Sequence, residues 1–411
     1  MKILLINNCH QYRGGADTVY LNTAQLLREY GHDVILFSFE NAQNVHTECK
    51  EYFVKRDGTI KTLRNYFFNP NSAKKIDEVL TLEKPDIAHA HLMWGGMTSS
   101  IFSILRKHQV PLVHTAHDYR MVCPAYLLKD GKCNVCERCT GGKYYNCALH
   151  RCSKGKVIES ILMTLEMYYR TKHYPVQYNI DGLIFVSNFS KNKHYSFDGS
   201  LKTVPCSVIY NCPGELVEKS IDLSFEGYNS YYLFYGRLSE EKGIRTLIQA
   251  FEKHPRLQLK IIGTGLLEKE LLSYCEGKSI KNITFGGYKS GRDLFDLVAH
   301  AKYVCVPSEC YENNPMTIVE SYTLGVPVIG AAIGGITEVI ENEITGYTFE
   351  SGSLDSLLCA LERSNSVDRI KYKELKENAR QFGINNFSRQ KYIDKLLDFY
   401  KEIIYKQRNN G

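Results

Sequence analysis

Short apolar runs alternate with longer stretches of helical period along this chain, and the alternation is run through twice. In the first half the apolar runs fall at 3–7, 33–38, 86–90, 111–115 and 182–186. A Gly-rich turn, Arg13-Gly14-Gly15, leads into a helix predicted over 17–30 that stops at Gly31. In the second half strands are predicted at 231–236, 258–263, 282–286, 303–307 and 327–331, with helices at 242–253, 266–275, 291–300, 315–324 and 336–341. Buried strands separated by helices build parallel sheets covered on both faces, and five βα units in order build a doubly wound one. A chain of 411 residues exceeds one ordinary core, so two or three domains are expected. The turn-rich stretch 210–214 reads as the linker, and a last amphipathic helix is predicted over 388–405, after the breaker Asn385-Asn386. No internal repeat or low-complexity tract interrupts the pattern.

Composition narrows the class. Hydrophobic residues make up 44% and charged residues 23%, which excludes a disordered, collagen-like or disulfide-dense chain. The net charge of +6 is unevenly placed: residues 1–211 hold 26 Lys and Arg against 18 Asp and Glu, and residues 101–200 hold 14 against 7. A one-sided basic region fits an anionic partner such as a membrane surface, or serves solubility alone. No apolar run is long enough to span a bilayer, and Ile3–Ile6 is too short for a secretory leader, so a cytoplasmic protein with reduced cysteines is expected. The segment 156–173 reads as an amphipathic helix packed on its own core or, as the second reading, a membrane-contacting helix; binding to an anionic membrane is expected to be electrostatic, without insertion.

Six of the 14 cysteines crowd into one segment: Cys123, Cys133, Cys136, Cys139, Cys147 and Cys152. The C-x2-C-x2-C spacing gathers thiols as a structural zinc site does, with Cys133, Cys136, Cys139 and Cys147 as ligands. Reduced thiols in an ordered loop and disulfides are the other readings, and spacing does not choose among the three.

Two constellations carry chemistry. In Gly236-Arg237-Leu238-Ser239-Glu240-Glu241-Lys242-Gly243, a strand end places Arg237 and Lys242 where doubly wound sheets bind ligands. An Arg fork and a Lys point charge beside a helix start make a diphosphate site that needs no metal. Downstream, Glu312 and Glu320 flank Pro315, which is placed for the first position of a helix; paired carboxylates suit vicinal hydroxyls. The amides of Met316 and Thr317 at that helix start suit phosphate. Taken singly, these charges also fit an ordinary solvated surface.

Together the elements resemble the family 4 retaining glycosyltransferases of the GT-B fold. The GxRxxxEKG stretch and the E-x7-E stretch are joined by Arg13-Gly14-Gly15-Ala16, Asp86–His91, His114–Asp118, Ile262-Gly263-Thr264-Gly265, Gly286-Gly287-Tyr288 and Gly334–Glu338, all in family order. The Cys-Pro followed by several cysteines is similar to a Cys-bearing subgroup. The resemblance implies two Rossmann-like doubly wound domains facing a central cleft. An acceptor-binding domain over 1–210 would carry a Cys-rich insertion at 120–155. A nucleotide-sugar-binding domain would cover 211–385, and a crossover helix at 386–411 would return to the first domain. It further implies that Arg237 and Lys242 neutralise the diphosphate leaving group, that Glu320 binds the ribose, and that Glu312 contacts the donor sugar. Gly14, Gly15 and Gly265 would line the donor, and His117 would hold a distal sugar hydroxyl. His114 is assigned to the core, while His89 and His91 are left unassigned. Asn313-Asn314-Pro315-Met316 and Thr337 depart from the commoner family pattern.

The implied activity is transfer of a hexose-type sugar from a UDP- or GDP-sugar to a glycan or polyprenyl-diphosphate-linked acceptor in cell-surface polysaccharide biosynthesis. No cofactor would be required for the chemistry. Two other readings stand beside it. One is a non-catalytic nucleotide-sugar-binding protein of the same fold. The other is a nicotinamide-dependent oxidoreductase built on Gly263-x-Gly265, which Glu268 at the third fingerprint position argues against. Nucleic acid is not an expected partner, because no basic–aromatic stripe occurs.

Overall fold

The computed structural model describes residues 1–56, 65–220 and 230–410. The chain divides into two compact units, Met1–Tyr210 with Arg389–Gly411, and Asn211–Ser388. Strands of the first unit are Lys2–Ile6 (β1), Asp33–Phe39 (β2), Lys50–Val54 (β3), Ile87–Ala90 (β4), Leu112–Ala116 (β5), Gly182–Phe185 (β6) and Cys206–Val208 (β7). They form one parallel sheet in the order β3-β2-β1-β4-β5-β6-β7. Those of the second unit are Tyr231–Tyr235 (β8), Gln258–Ile262 (β9), Ile283–Phe285 (β10), Tyr303–Val306 (β11), Val328–Ala331 (β12) and Gly346–Phe349 (β13). Their parallel order is β10-β9-β8-β11-β12-β13. Both orders reverse beside the unit's first strand, between β1 and β4 and between β8 and β11. Chains leaving these strands diverge there and open a crevice.

Central strands such as β1, β4, β5 and β11 are buried along nearly their whole length, which is why they read as continuous apolar runs. The sheets hold three strands beyond those expected. β3 and β7 are edge strands with mixed burial, and such edges lack the apolar run. β13 opens on Gly346, where a Cβ would stand 2.0 Å from the Val328 carbonyl oxygen, so the glycine marks close strand pairing rather than a turn. Two further helices close the second unit. Ser353 caps Leu354–Ser366 and Asp368 caps Arg369–Phe387 through side-chain acceptance of a third-residue amide.

Asn385 and Asn386 do not break the chain's last helical stretch. They lie inside Arg369–Phe387, and the break falls at Ser388. The following helix, Arg389–Asn410, packs within the first unit. Tyr392 Oη lies 2.7 Å from Thr23 Oγ1, Tyr400 Oη lies 2.6 Å from His89 Nδ1, and Arg389 pairs with Glu29 at 2.6 Å.

The helix Val157–His173 corrects the sequence reading of its packing. Its buried side carries Ser160, Thr164, Glu166, Met167 and Arg170, mostly polar, while Ile158, Ile161, Leu165 and Tyr168 are exposed. The polar side is held by charge: Glu166 accepts from Arg170 Nε at 2.9 Å and pairs with Arg120 at 3.4 Å. Arg170 lies 4.1 Å over the Trp94 ring. The apolar period expected from the sequence is present, but its stripe of Ile158, Ile161, Leu165 and Tyr168 points away from the core.

Candidate active site

In the second unit β8 runs out at Gly236, and Arg237 follows on the exposed loop. Among the described residues the Arg237 guanidinium makes no hydrogen bond within the chain. Lys242 ends a short 3-10 turn, Glu240–Lys242, and the helix proper begins at Ile244. Gly243 between them has φ +65°, and a Cβ there would stand 1.8 Å from the Pro307 carbonyl oxygen. Only glycine lets this loop lie against the one leaving β11. That approach brings Lys242 Nζ to 2.5 Å from Glu312 Oε1, which also accepts from Ser308 Oγ at 2.8 Å. Burial opposes both charges, yet each partner outweighs it: Glu312 is held below the usual carboxylate range and Lys242 above its own. Gly334 and Gly335 press on the same segment. A Cβ on Gly334 would stand 2.4 Å from the Glu312 carbonyl oxygen, which accepts from Gly335 N at 2.7 Å.

Pro315 takes the N-cap rather than the first helical position, with ψ 127°, and the helix is Met316–Thr323. The amides of Met316 and Thr317 are its first two and find no acceptor among the described residues, as expected at an uncapped helix start. Glu320 sits one turn further in, buried. Tyr235 Oη reaches Glu320 Oε2 and the Thr317 carbonyl oxygen, each at 3.0 Å. Burial pushes the Glu320 carboxyl up to about 7, against the lowering effect of the Tyr235 hydrogen bond. Asn211 pins the loop from the start of the unit: its amide donates to Asn314 Oδ1 and its side chain to the Asn314 carbonyl oxygen, both at 2.8 Å. Arg237, Lys242, Glu312, Met316, Thr317 and Glu320 thus gather at the β8/β11 switch point.

Gly263 and Gly265 have another evident duty. A Cβ would stand 1.9 Å from the Gly236 carbonyl oxygen at the first and 2.2 Å from that of Leu238 at the second. The glycine pair lets two loop backbones touch, which accounts for a Gly-x-Gly without a dinucleotide.

In the first unit, Gly14 is extended and precedes the helix Gly15–Glu29, whose start has no side-chain cap. His117 follows β5. Its Nε2 lies 2.8 Å from His91 Nδ1, and the two rings stack with centroids 5.1 Å apart. Burial pulls His117 down to about 3 and holds His91 well below its ordinary value, so both are neutral at pH 7 and share one proton along that contact. His91 thus hydrogen-bonds the His117 ring and packs against its face. His89 is committed elsewhere, to Tyr400 and to Thr115 Oγ1 at 2.7 Å. His114 Nδ1 meets the Ala90 carbonyl oxygen at 3.0 Å in the core.

The cysteine segment contains no disulfide among the described residues, and all of its thiols are free. Cys133 is exposed, whereas Cys123, Cys139 and Cys147 are buried. No three His, Cys, Asp or Glu side chains among the described residues stand in a metal-holding arrangement, the four proposed ligands Cys133, Cys136, Cys139 and Cys147 included. The Cys152 thiol hydrogen-bonds Cys147; this holds Cys147 down and Cys152 up, while burial pushes Cys123 and Cys139 up to about 12.

Several positioning residues were not singled out from the sequence. Tyr235 reads only as a strand residue, and Ser308 as a loop residue. Asn211 and Asn314 are 103 positions apart with no spacing rule to join them. His91 did carry a signal: at i+2 from His89 it shares one strand face, at the strand's carboxyl end.

Both units are parallel Rossmann-like sheets, and the second gathers its charged groups at the β8/β11 switch point. The family description "Glycosyltransferase Family 4" matches residues 13–212, and "Glycosyl transferases group 1" matches residues 219–382. The chain belongs to this glycosyltransferase family, with the GT-B fold. An uncharacterised glycosyltransferase of Methanocaldococcus jannaschii is 24% identical over 405 residues, covering 98% of this chain and 99% of the relative. A UDP-Gal:alpha-D-GlcNAc-diphosphoundecaprenol alpha-1,3-galactosyltransferase of Escherichia coli is 26% identical over 46% of this chain and 50% of its own length. Among solved structures, sucrose-phosphate synthase of Thermosynechococcus elongatus superposes with TM-score 0.72 at 17% identity, covering 99% of this chain and 100% of that one. Anabaena Alr3699/HepE in complex with UDP and glucose gives 0.68 at 17% identity, covering 98% and 99%.

Proposed function

We propose that this glycosyltransferase moves a hexose-type sugar, with retention of anomeric configuration, from a UDP- or GDP-sugar to a glycan or polyprenyl-diphosphate-linked acceptor in cell-surface polysaccharide assembly. The observation that carries the reading is the layout at the β8/β11 switch point. A free guanidinium, a carboxylate-paired ammonium and two open helix-start amides stand beside a buried carboxyl. Arg237, Lys242 and the amides of Met316 and Thr317 take the diphosphate; Glu320, steadied by Tyr235, takes the ribose hydroxyls. Negative charge grows on the leaving diphosphate as the glycosidic bond breaks, so fixed cations there favour the transition state over the ground state. They supply the charge a divalent ion would otherwise bring. Glu312 contacts the donor sugar. No protein nucleophile is assigned. A lipid-linked acceptor places the enzyme at the cytoplasmic face of an anionic membrane, in keeping with the basic first half and with the undecaprenol-linked acceptor in the E. coli relative's name.

The test is a panel of nucleotide-sugars ranked by thermal shift, followed by NMR of the product's anomeric centre. A donor held at about 100 times its dissociation constant stabilises the fold by about 2.7 kcal/mol. An inverted product would remove the retaining assignment, and a panel without any shift would remove the donor class.

A further inference from the structure

The helix Val157–His173 turns its apolar side outward. Ile158 is 82% exposed and Leu165 54%, with Ile161 and Tyr168 on the same stripe; these positions follow one another at three- and four-residue steps. The stripe continues onto the neighbouring helix Tyr145–Leu149, where Leu149 is 70% exposed and Tyr145 is also exposed. The two helices are tied together, since Tyr145 N donates to Tyr168 Oη at 3.2 Å and the Tyr144 and Tyr168 rings meet edge to face at 5.2 Å. The surface is therefore a built face and not a scatter of single exposed side chains.

Its rim is basic. Between residues 141 and 175, all of them described, the exposed charges are Lys143, Arg151, Lys154, Lys156 and Lys172 against one carboxylate, Glu159, which Lys156 pairs at 2.7 Å. The helix is docked by its polar side through the Arg120–Glu166–Arg170 network, which fixes the apolar stripe facing away from the core.

We propose that this face is a docking surface for an anionic lipid bilayer, with the helix lying in the interface plane, the stripe seated at the acyl boundary and the lysines among the headgroups. An apolar stripe rimmed by Lys and Arg has the pattern of an interfacial helix, and the basic rim complements anionic lipid. The helix does not cross the membrane, since no helix among the described residues is long and apolar enough. A second copy of this chain fits less well, because a two-fold contact would set the lysine rims of both copies against each other. The proposal rests on the reading that the acceptor is lipid-linked, and it changes the expected contact from purely electrostatic to partly inserted.

The experiment is co-sedimentation of the full chain with vesicles of phosphatidylcholine alone and with phosphatidylglycerol added, across a salt series. Wild type is expected to bind the anionic vesicles, and to keep part of that binding at high salt because the apolar part is not screened. The double variant Ile158→Ser, Leu165→Ser is expected to lose about tenfold or more in partition at every salt concentration. Lys154→Gln with Lys172→Gln is expected to lose only the salt-sensitive part. The single tryptophan, Trp94, lies beneath Arg170, so its fluorescence reports whether the helix is still seated in each variant. Nucleoside diphosphate affinity, measured separately, is expected to be unchanged in all of them; its absence in wild type would count against the donor reading and not against the surface. Equal partition of the serine variant and wild type overturns the proposal, as does wild type that ignores both vesicles. A dimer dissolved by the serine substitutions, without vesicle binding, also overturns it and gives the stripe to a second copy.

Discussion

Lys242 and Glu312, from loops leaving two neighbouring strands, meet at 2.5 Å and cancel each other's charge where a diphosphate is proposed to sit. The pair ties a cation of the leaving-group site to a carboxylate of the donor-sugar site. Removing the carboxylate frees the ammonium for phosphate. Glu312→Gln is therefore expected to cut turnover by about 10²-fold or more, while the affinity for bare nucleoside diphosphate holds or tightens. Calorimetric titration beside a turnover assay checks this; weakened nucleotide binding would reverse the assignment.

Arg237 and Lys242 are expected to behave as transition-state groups. Alanine at either position should lower turnover by about 10²–10³-fold. Arg237→Lys should recover little, because the planar fork is lost. Near-normal rates in both alanine variants would take the leaving group elsewhere.

The buried Glu320 gives a pH signature. Its carboxyl titrates near 7 in the folded chain, above the ordinary 4.5, so between these values the folded state holds the proton more tightly than the unfolded one. Its contribution to stability is greatest below that window and declines as pH rises through it. Nucleotide affinity is expected to move oppositely, rising through about pH 7 as the carboxylate forms to accept the ribose hydroxyls. Glu320→Gln should flatten both dependences, and an unchanged affinity profile would separate Glu320 from the ribose.

Glu166 holds two arginines in a buried setting, with Arg170 and Glu166 each 2% exposed. Glu166→Ala leaves those guanidinium groups uncompensated and is expected to destabilise the first unit by about 3–5 kcal/mol. Denaturant unfolding followed at Trp94 measures it; a loss within experimental error would mean the network does not hold the helix.

Transfer is expected to survive prolonged incubation with a chelator, because Arg237 and Lys242 bring the positive charge to the leaving group. Rapid loss of activity, restored by a divalent ion, would contradict that role.

Much of this was legible in the chain itself. The βα alternation exposed the sheet centres because strands buried on both faces must be apolar, and Arg237, Lys242, Glu312 and Glu320 were marked by spacing around strand ends and a helix start. What stayed hidden depends on tertiary pairing. Edge strands β3 and β7 lack the apolar run. Tyr235, Ser308 and Asn211 act through partners far off in sequence. The helix Val157–His173 displays its apolar period plainly, but which side meets the core is decided by Glu166 and two arginines that no local pattern joins.

The most direct measurement is release of nucleoside diphosphate from a panel of UDP- and GDP-sugars, comparing wild type with Arg237→Ala. Slow release from at least one donor, reduced by about 10²-fold or more in the variant, is the expected result. If wild type releases none from any donor, or the variant releases it as fast, the switch-point cluster is not a glycosyl-transfer site.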